Sequence, residues 1–292
     1  MGGGASRYKS QESSAVAVRP FRASDPDAGR RRFFIGANWK CCLQAPDEVD
    51  ALVNSLNEQL EVLGPAIEDI DVCVCPPYVF LDRVREHLAK DFQVGGQNAW
   101  DAAPPLAGNT GAVTAEMLRA LGCTWVLLGH SDRRNKLGET DDLIAAKVEA
   151  CLAEGLRVNL TIGETLAARE AGNAMDVLFG QLGAAAARVP QGRWGSVAVA
   201  YEPVWAVGEG ATPCSPQEAQ RVHASLRAWL QQHAGEAAAR ACRFVYTGSV
   251  NEQNAEDYAR LPDVDGFVVG RAGLDAGKLT SICRTLARCK SG

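Results

Sequence analysis

The chain has 292 residues, enough for one large barrel or two smaller domains. A net charge of −5 and an isoelectric point near 5.5 come with neither a basic stripe for nucleic acid nor an acidic interaction tail. Hydrophobic residues make up 47% of the chain, yet no apolar run approaches the ~18 residues that would span a membrane.

The first 32 residues are rich in Gly, Ser, Arg and Ala and lack hydrophobic periodicity, which predicts a disordered extension. Met1–Ser6 fits the N-myristoylation pattern M-G-x-x-x-[ST], with Gly2 as acceptor and with Arg7 and Lys9 adding weak attraction to an anionic membrane. A Gly-rich start without lipid, or an organellar transit peptide such as a plastid one, are the other readings. Glu12, Asp25 and Asp27 count against the latter. The ten cysteines include no C-x-x-C pair and no metal-ligand spacing, so free thiols in a reducing compartment, the cytoplasm, are expected.

From Phe33 onward strands and helices alternate. Strands are predicted at Phe33–Ala37, Ile70–Cys75, Phe92–Gly96, Thr124–Leu128, Arg157–Ile162, Ser196–Ala200, Arg243–Tyr246 and Gly266–Val269. They are short, rich in β-branched residues and continuously apolar, as strands covered on both faces must be. Amphipathic helices are predicted over Asp47–Leu63, Glu139–Glu154, Ala168–Ala187, Pro216–His233, Asn251–Arg260 and Asp275–Cys289. Eight β-then-α units match an α/β (β/α)8 barrel filling residues 33–292 as one domain. A doubly wound open sheet is the alternative, but no G-x-G-x-x-G follows the first strand.

Working residues of such a barrel lie at the C-terminal ends of its strands. Strand 1 ends in Asn38-Trp39-Lys40, which brings an ammonium to the barrel mouth. Strand 4 ends in Gly129-His130-Ser131-Asp132-Arg133-Arg134, where a helical turn beginning at the His would keep the imidazole neutral and a hydrogen-bond donor. Strand 6 runs into Glu202, followed by Pro203, Val204, Trp205 and a Gly-containing stretch to Gly210. That is the layout of a base beneath an apolar lid, where lost water raises a carboxylate's basicity. Each of the three has a bland reading: a solvated Lys, a packed His, a loop Glu. Small residues after strands 7 and 8, Thr247-Gly248-Ser249 and Gly270-Arg271-Ala272, suit a phosphate nest of backbone N–H groups. One acid, one neutral His, one Lys and a phosphate nest fit proton abstraction beside a carbonyl in a small phosphorylated molecule, with no metal or other cofactor required.

NWK, LGHSDRR, AYEPVWAVGEG, YTGSV and VDGFVVG, in this order, closely resemble the triosephosphate isomerase family over Phe33 to Cys289. The neutral-His argument is itself a worked case of pKa tuning in that family. The resemblance implies that Glu202 is the base, His130 the electrophile and Lys40 the cation, with Asn38 also touching substrate. It implies phosphate contacts from Gly208, Ser249, Gly270 and Arg271, and a closing lid over Pro203–Pro213. Ser131 and Arg134 would support the His loop, Arg134 would pair with Glu139, and Arg227 with Asp265. It also implies a homodimer through the loop Gln97–Thr110 and the Cys41 region, with Thr110 reaching the partner's active site.

This chain departs from the family pattern at several places. Asp132 stands where the family has Glu, and one methylene fewer shortens its reach to Lys40. Thr247 and Arg271 replace glycines in the phosphate nest, Thr161 replaces a Cys near the base, and the acidic Glu209 enters the lid. Ala112 replaces a Glu that would form an intersubunit ion pair with Arg133, and Cys41-Cys42 offer thiols at the interface. The expected reaction interconverts dihydroxyacetone phosphate and D-glyceraldehyde 3-phosphate through an enediolate. A low-activity barrel with a regulatory or membrane-tethered role is the alternative. An isomerase or aldolase of another phosphosugar is a third reading, weakened by the lack of a mid-strand Schiff-base Lys and of metal ligands.

Overall fold

The computed structural model describes residues 31–100, 109–208 and 210–290. Residues 1–30 of the predicted N-terminal extension with its Gly2 acceptor, residues 101–108 of the expected interface loop, and Glu209 lie outside the described residues.

Eight strands, β1 (Phe33–Asn38), β2 (Ile70–Cys75), β3 (Gln93–Gly96), β4 (Trp125–Leu128), β5 (Arg157–Ile162), β6 (Val197–Tyr201), β7 (Arg243–Tyr246) and β8 (Gly266–Val269), close in sequence order. Every neighbouring pair is parallel, β1 against β8 included. Side chains alternate between two environments along each strand. One set, with Phe34, Cys73, Trp125, Leu127, Ala198, Ala200, Val245 and Val268, fills the barrel interior. The other set, with Ile35, Val72, Val126, Leu160, Val199 and Phe244, packs under the helices. Both sets are buried, which is why the strands read as unbroken apolar runs.

The helices depart from the periodic pattern where local signals interrupt it. The stretch expected as one helix over Ala168–Ala187 is two, Leu166–Glu170 and Ala174–Ala186, separated at Gly172 (φ 78°). The helix expected over Asp47–Leu63 ends at Glu58 and is followed by a short one over Leu60–Leu63. The helix expected over Asn251–Arg260 shrinks to Ala255–Ala259, because Asn251 Oδ1 accepts the N–H groups of Gln253 and Asn254 and holds that segment as a turn. Leu81–His87, Ala115–Ala120 and Glu236–Ala241 form helices too short for their periodicity to register. Among the described residues no helix is long and apolar enough to cross a membrane.

The end of the barrel remote from the strand C-termini is closed by charge. Asp71, buried, accepts hydrogen bonds from Arg32 (3.1 Å), Gln93 (2.9 Å) and Arg157 (3.2 Å), and lies 3.1 Å from Arg243 Nη2. Arg157 and Arg243 both face the Trp125 ring. Arg31 reaches Asp265 at 3.2 Å, so the last two residues of the predicted extension are tied to the barrel floor. The expected pair of Arg227 with Asp265 is present at 2.7 Å, and Arg227 also binds Asp263.

Candidate active site

Glu202, His130 and Lys40 meet at the C-terminal mouth of the barrel, joined by a chain of short contacts. Glu202 follows β6 directly and is 3% exposed, despite its charge. Its backbone can approach β5 closely only because residue 163 is Gly: a Cβ there would lie 1.9 Å from the Glu202 carbonyl oxygen. Ser131 holds the Glu202 carboxylate twice, through its N–H to Oε2 (2.9 Å) and its hydroxyl to Oε1 (2.8 Å). Oε1 is also 3.3 Å from His130 Nε2.

His130 ends the loop after β4. Its carbonyl accepts the N–H groups of Arg133 and Arg134, so it sits at the start of the helical turn containing Asp132–Lys136, a widened π turn. The Asp132 N–H donates to His130 Nδ1 at 3.0 Å. Nδ1 is therefore the bare nitrogen and Nε2 carries the proton, pointed into the site. Burial pulls the basicity of His130 below the ordinary histidine range; Glu202 acts against this and Lys40 with it. The neutral, donating imidazole expected from the sequence is the species this environment favours.

Lys40 has φ 48°, the only positive value among described non-glycine residues. Such a conformation is costly and persists where the surroundings over-determine it. Here the Lys40 N–H donates to Asn38 Oδ1 (3.0 Å), and its carbonyl accepts from Gln97 Nε2 (2.7 Å), which also binds the Cys75 carbonyl (2.9 Å). Its ammonium lies 3.0 Å from Asp132 Oδ2. The shorter acid still reaches Lys40, contrary to the expectation from its length, because the turn carries the Asp132 backbone to the His130 ring. Gln97, expected only as the first residue of the interface loop, follows β3 at the same end as the other site residues, and its bond to the Lys40 carbonyl escapes the sequence reading.

The expected pair of Arg134 with Glu139 does not form. Arg133 takes Glu139, with Nε at 2.8 Å and Nη2 at 2.6 Å, and Lys147 (2.7 Å) and Asn98 (3.0 Å) complete the carboxylate's partners. Burial would raise the Glu139 pKa, but hydrogen bonds from Lys147, Arg133 and Asn98 outweigh it and bring it below the usual carboxylate range. Arg134 turns the other way and ties β4 to β5, donating to the Gly129 (2.6 Å) and Thr161 (3.1 Å) carbonyls and pairing with Asp141. Consecutive residues of a helical turn point to different sides, so adjacent arginines cannot share a partner. Arg133, whose intersubunit partner the resemblance put at position 112, is thus committed within the chain. Ser131 contacts Glu202, Arg134 contacts the carbonyl of Gly129 beside His130, and Glu139 contacts Arg133 of the same turn.

The loops after β7 and β8 lie where the phosphate nest was expected. The Thr247 hydroxyl donates to the Val268 carbonyl (2.8 Å) and its N–H to the Tyr201 carbonyl (2.8 Å). Gly248 is required, since a Cβ would sit 2.3 Å from the Tyr246 hydroxyl. Ser249 Oγ reaches the Ala206 carbonyl at 3.5 Å, linking this loop to the lid's first residues. Gly208 has φ 118°, Gly270 follows β8, and Arg271, exposed, opens the short turn Arg271–Leu274. Trp205 donates to Glu164 Oε1 (2.7 Å), which also accepts from Tyr201 (3.0 Å), while the Arg169 guanidinium lies over the Trp205 ring. Thr161 is buried, in register with Ala200 two residues before Glu202. Thr110, Cys41 and Cys42 are exposed.

Comparison with known proteins adds an independent line. A family model described as triosephosphate isomerase matches residues 33–286, all eight strands included. The chain belongs to the triosephosphate isomerase family. A protein named triosephosphate isomerase, chloroplastic, of Arabidopsis thaliana is 42% identical over 279 residues, covering 95% of this chain and 85% of the relative. One named triosephosphate isomerase, cytosolic, of Oryza sativa subsp. japonica is 44% identical over 244 residues, covering 84% and 93%. Triosephosphate isomerase relatives thus include both chloroplastic and cytosolic forms.

Proposed function

We propose that this chain is an aldose–ketose isomerase that interconverts dihydroxyacetone phosphate and D-glyceraldehyde 3-phosphate, with Glu202 as base, His130 as electrophile and Lys40 as cation. The observation that carries the reading is the Lys40–Asp132–His130–Glu202 chain of contacts at the barrel mouth. Glu202 removes a proton from the carbon beside the carbonyl and returns it to the neighbouring carbon. The His130 Nε2–H and the Lys40 ammonium stabilise the enediolate oxygens. Both Glu202 oxygens are held by Ser131, so the carboxylate must leave that grip to reach substrate. The lid residues that follow Glu202 directly in the chain, 203–213, couple that movement to closure. Backbone N–H groups of Gly208, Ser249, Gly270 and Arg271 cradle the phosphate, and Asn38 orders the Lys40 turn beside it.

A homodimer through Gln97–Thr110 and the Cys41 segment belongs to this reading. The exposed Tyr78, Val79 and Trp100, which follow β2 and β3 at the strand C-terminal end, support it, since large exposed apolar side chains there favour a cover. Sedimentation velocity of the purified chain tests the assembly. All ten cysteines are free thiols, which supports a reducing compartment, and we place the protein in the cytoplasm. Imaging of the full-length chain with a C-terminal tag, and intact mass for an acyl group on Gly2, test that placement.

A coupled assay in both directions tests the chemistry. Glu202→Asp withdraws the carboxylate by about one methylene, and a misplacement of that size costs on the order of 100-fold in kcat. A wild-type chain that isomerises neither triose phosphate above background sinks the reading.

A further inference from the structure

We propose that Lys136 is a positioning residue for the isomerisation: it clamps one oxygen of Asp132 so that Lys40 is held by the other oxygen alone and keeps its charge and donors for substrate. This rests on the reading of Lys40 as the substrate-binding cation. Lys136 Nζ lies 2.6 Å from Asp132 Oδ1, and Lys40 Nζ lies 3.0 Å from Asp132 Oδ2. One carboxylate is divided between two ammonium groups, one from the end of β1 on Oδ2 and one from the turn that carries Asp132 itself on Oδ1. The widened turn over Asp132–Lys136 sets these two side chains next to each other.

The arrangement answers a problem set by the short side chain of Asp132. An Asp has a single methylene, so its carboxylate orientation follows whichever cation draws it most strongly. Lys136 on Oδ1 holds the carboxylate, and the Asp132 N–H on His130 Nδ1 fixes the backbone that carries it. Without Lys136, the whole charge of Asp132 falls on Lys40. The two would form a neutral pair, and the field that Lys40 directs at an anionic substrate would weaken. With Lys136, the trio of Lys40, Asp132 and Lys136 carries one net positive charge. Three N–H donors are available on each ammonium, so Lys40 can bind Asp132 and substrate oxygens together. The rival account is that Lys136, whose side chain is 74% exposed, makes an ordinary surface ion pair that steadies its own turn.

Steady-state kinetics on Lys136→Ala, Lys136→Arg, Asp132→Asn and the Asp132→Asn/Lys136→Ala double variant decide between them. Lys136→Ala is expected to lower kcat/KM roughly two- to fivefold, through KM more than kcat, the size a partly exposed charge contact supports. Lys136→Arg restores the wild-type value within about twofold, since a guanidinium reaches the same oxygen. In the Asp132→Asn background Lys136→Ala changes nothing further. An unchanged kcat/KM in Lys136→Ala overturns the proposal. So does an equal loss in both backgrounds, which would mark a general surface-charge effect. Unfolding midpoints and sedimentation velocity accompany the assays, and a loss of activity that tracks lost folded or assembled protein also overturns it. Lys40→Ala separates this from the parent reading: full activity in that variant removes Lys40 from the mechanism, whereas the Lys136 series speaks only to its positioning.

Discussion

Ser131 grips both oxygens of Glu202, with its N–H at 2.9 Å and its hydroxyl at 2.8 Å, so the proposed base rests on the loop that carries the proposed electrophile. Ser131→Ala removes one charge-assisted bond and leaves a buried carboxylate oxygen short of a donor. The expected cost is about 1.5–3 kcal/mol of folding stability, read from urea unfolding. A variant as stable as the wild type would mean that the grip holds no stabilising energy.

The pKa of His130 is expected to lie below the ordinary histidine range, because burial disfavours its charged form and the Asp132 N–H occupies Nδ1. Nitrogen NMR of the imidazole across pH 5 to 8 checks this, a window around the usual histidine pKa of about 6.5. Proton occupancy on Nδ1 above that pKa contradicts the assignment.

His223 supplies a pH dependence of stability away from the site. It is fully buried between Tyr201 and Tyr246, Nδ1 lies 3.1 Å from the Asp263 carbonyl, and burial lowers its pKa to about 4. The unfolded chain takes up this proton near pH 6.5, while the folded chain resists it until about pH 4. Between those values the unfolded state binds more protons, so stability falls as pH falls through that window and is fully present above it. The contribution is about 3 kcal/mol, from roughly 1.4 kcal/mol for each pH unit that separates the folded and unfolded pKa. Unfolding at pH 4.5 and 7.5 for the wild type and His223→Gln measures it, and the variant is expected to lose most of the difference.

Thr247→Gly restores the family's residue in the phosphate nest. Since the Thr247 hydroxyl is already spent on the Val268 carbonyl, KM is expected to stay within twofold of wild type. Stability is expected to fall by about 1–2 kcal/mol from the lost hydrogen bond and the added backbone freedom. A KM that drops severalfold would mean that Thr247 does crowd the anion.

The strand ends made Lys40, His130 and Glu202 legible, because a barrel presents its strand termini at one mouth and the residues there are read in chain order. The partnership of Arg133 rather than Arg134 with Glu139 was not legible. Adjacent residues of one type carry no sign of which way each turns, and the helix expected from Glu139 starts at Asp141 under a Thr140 cap, which frees Glu139 to point inward. Gln97 and Lys136 stayed hidden for a related reason. Gln97 acts on the Lys40 carbonyl, brought to it from far along the chain, and Lys136 acts on its near neighbour Asp132, whose carboxylate gains its second cation, Lys40, only through folding.

What the sequence determined alone is whatever follows from repeating local pattern and residue type. That covers eight covered strands with alternating helices, the three chemical groups at strand ends, and the small residues where an anion would sit. Tertiary structure decided how charges are shared. A carboxylate's partners depend on distances of a few tenths of an ångström between segments that only folding brings together, and an ion pair one residue out of place looks the same in sequence. So the identity of the groups was local, while the division of Asp132 between two lysines and the grip of Ser131 on Glu202 belong to the closed barrel.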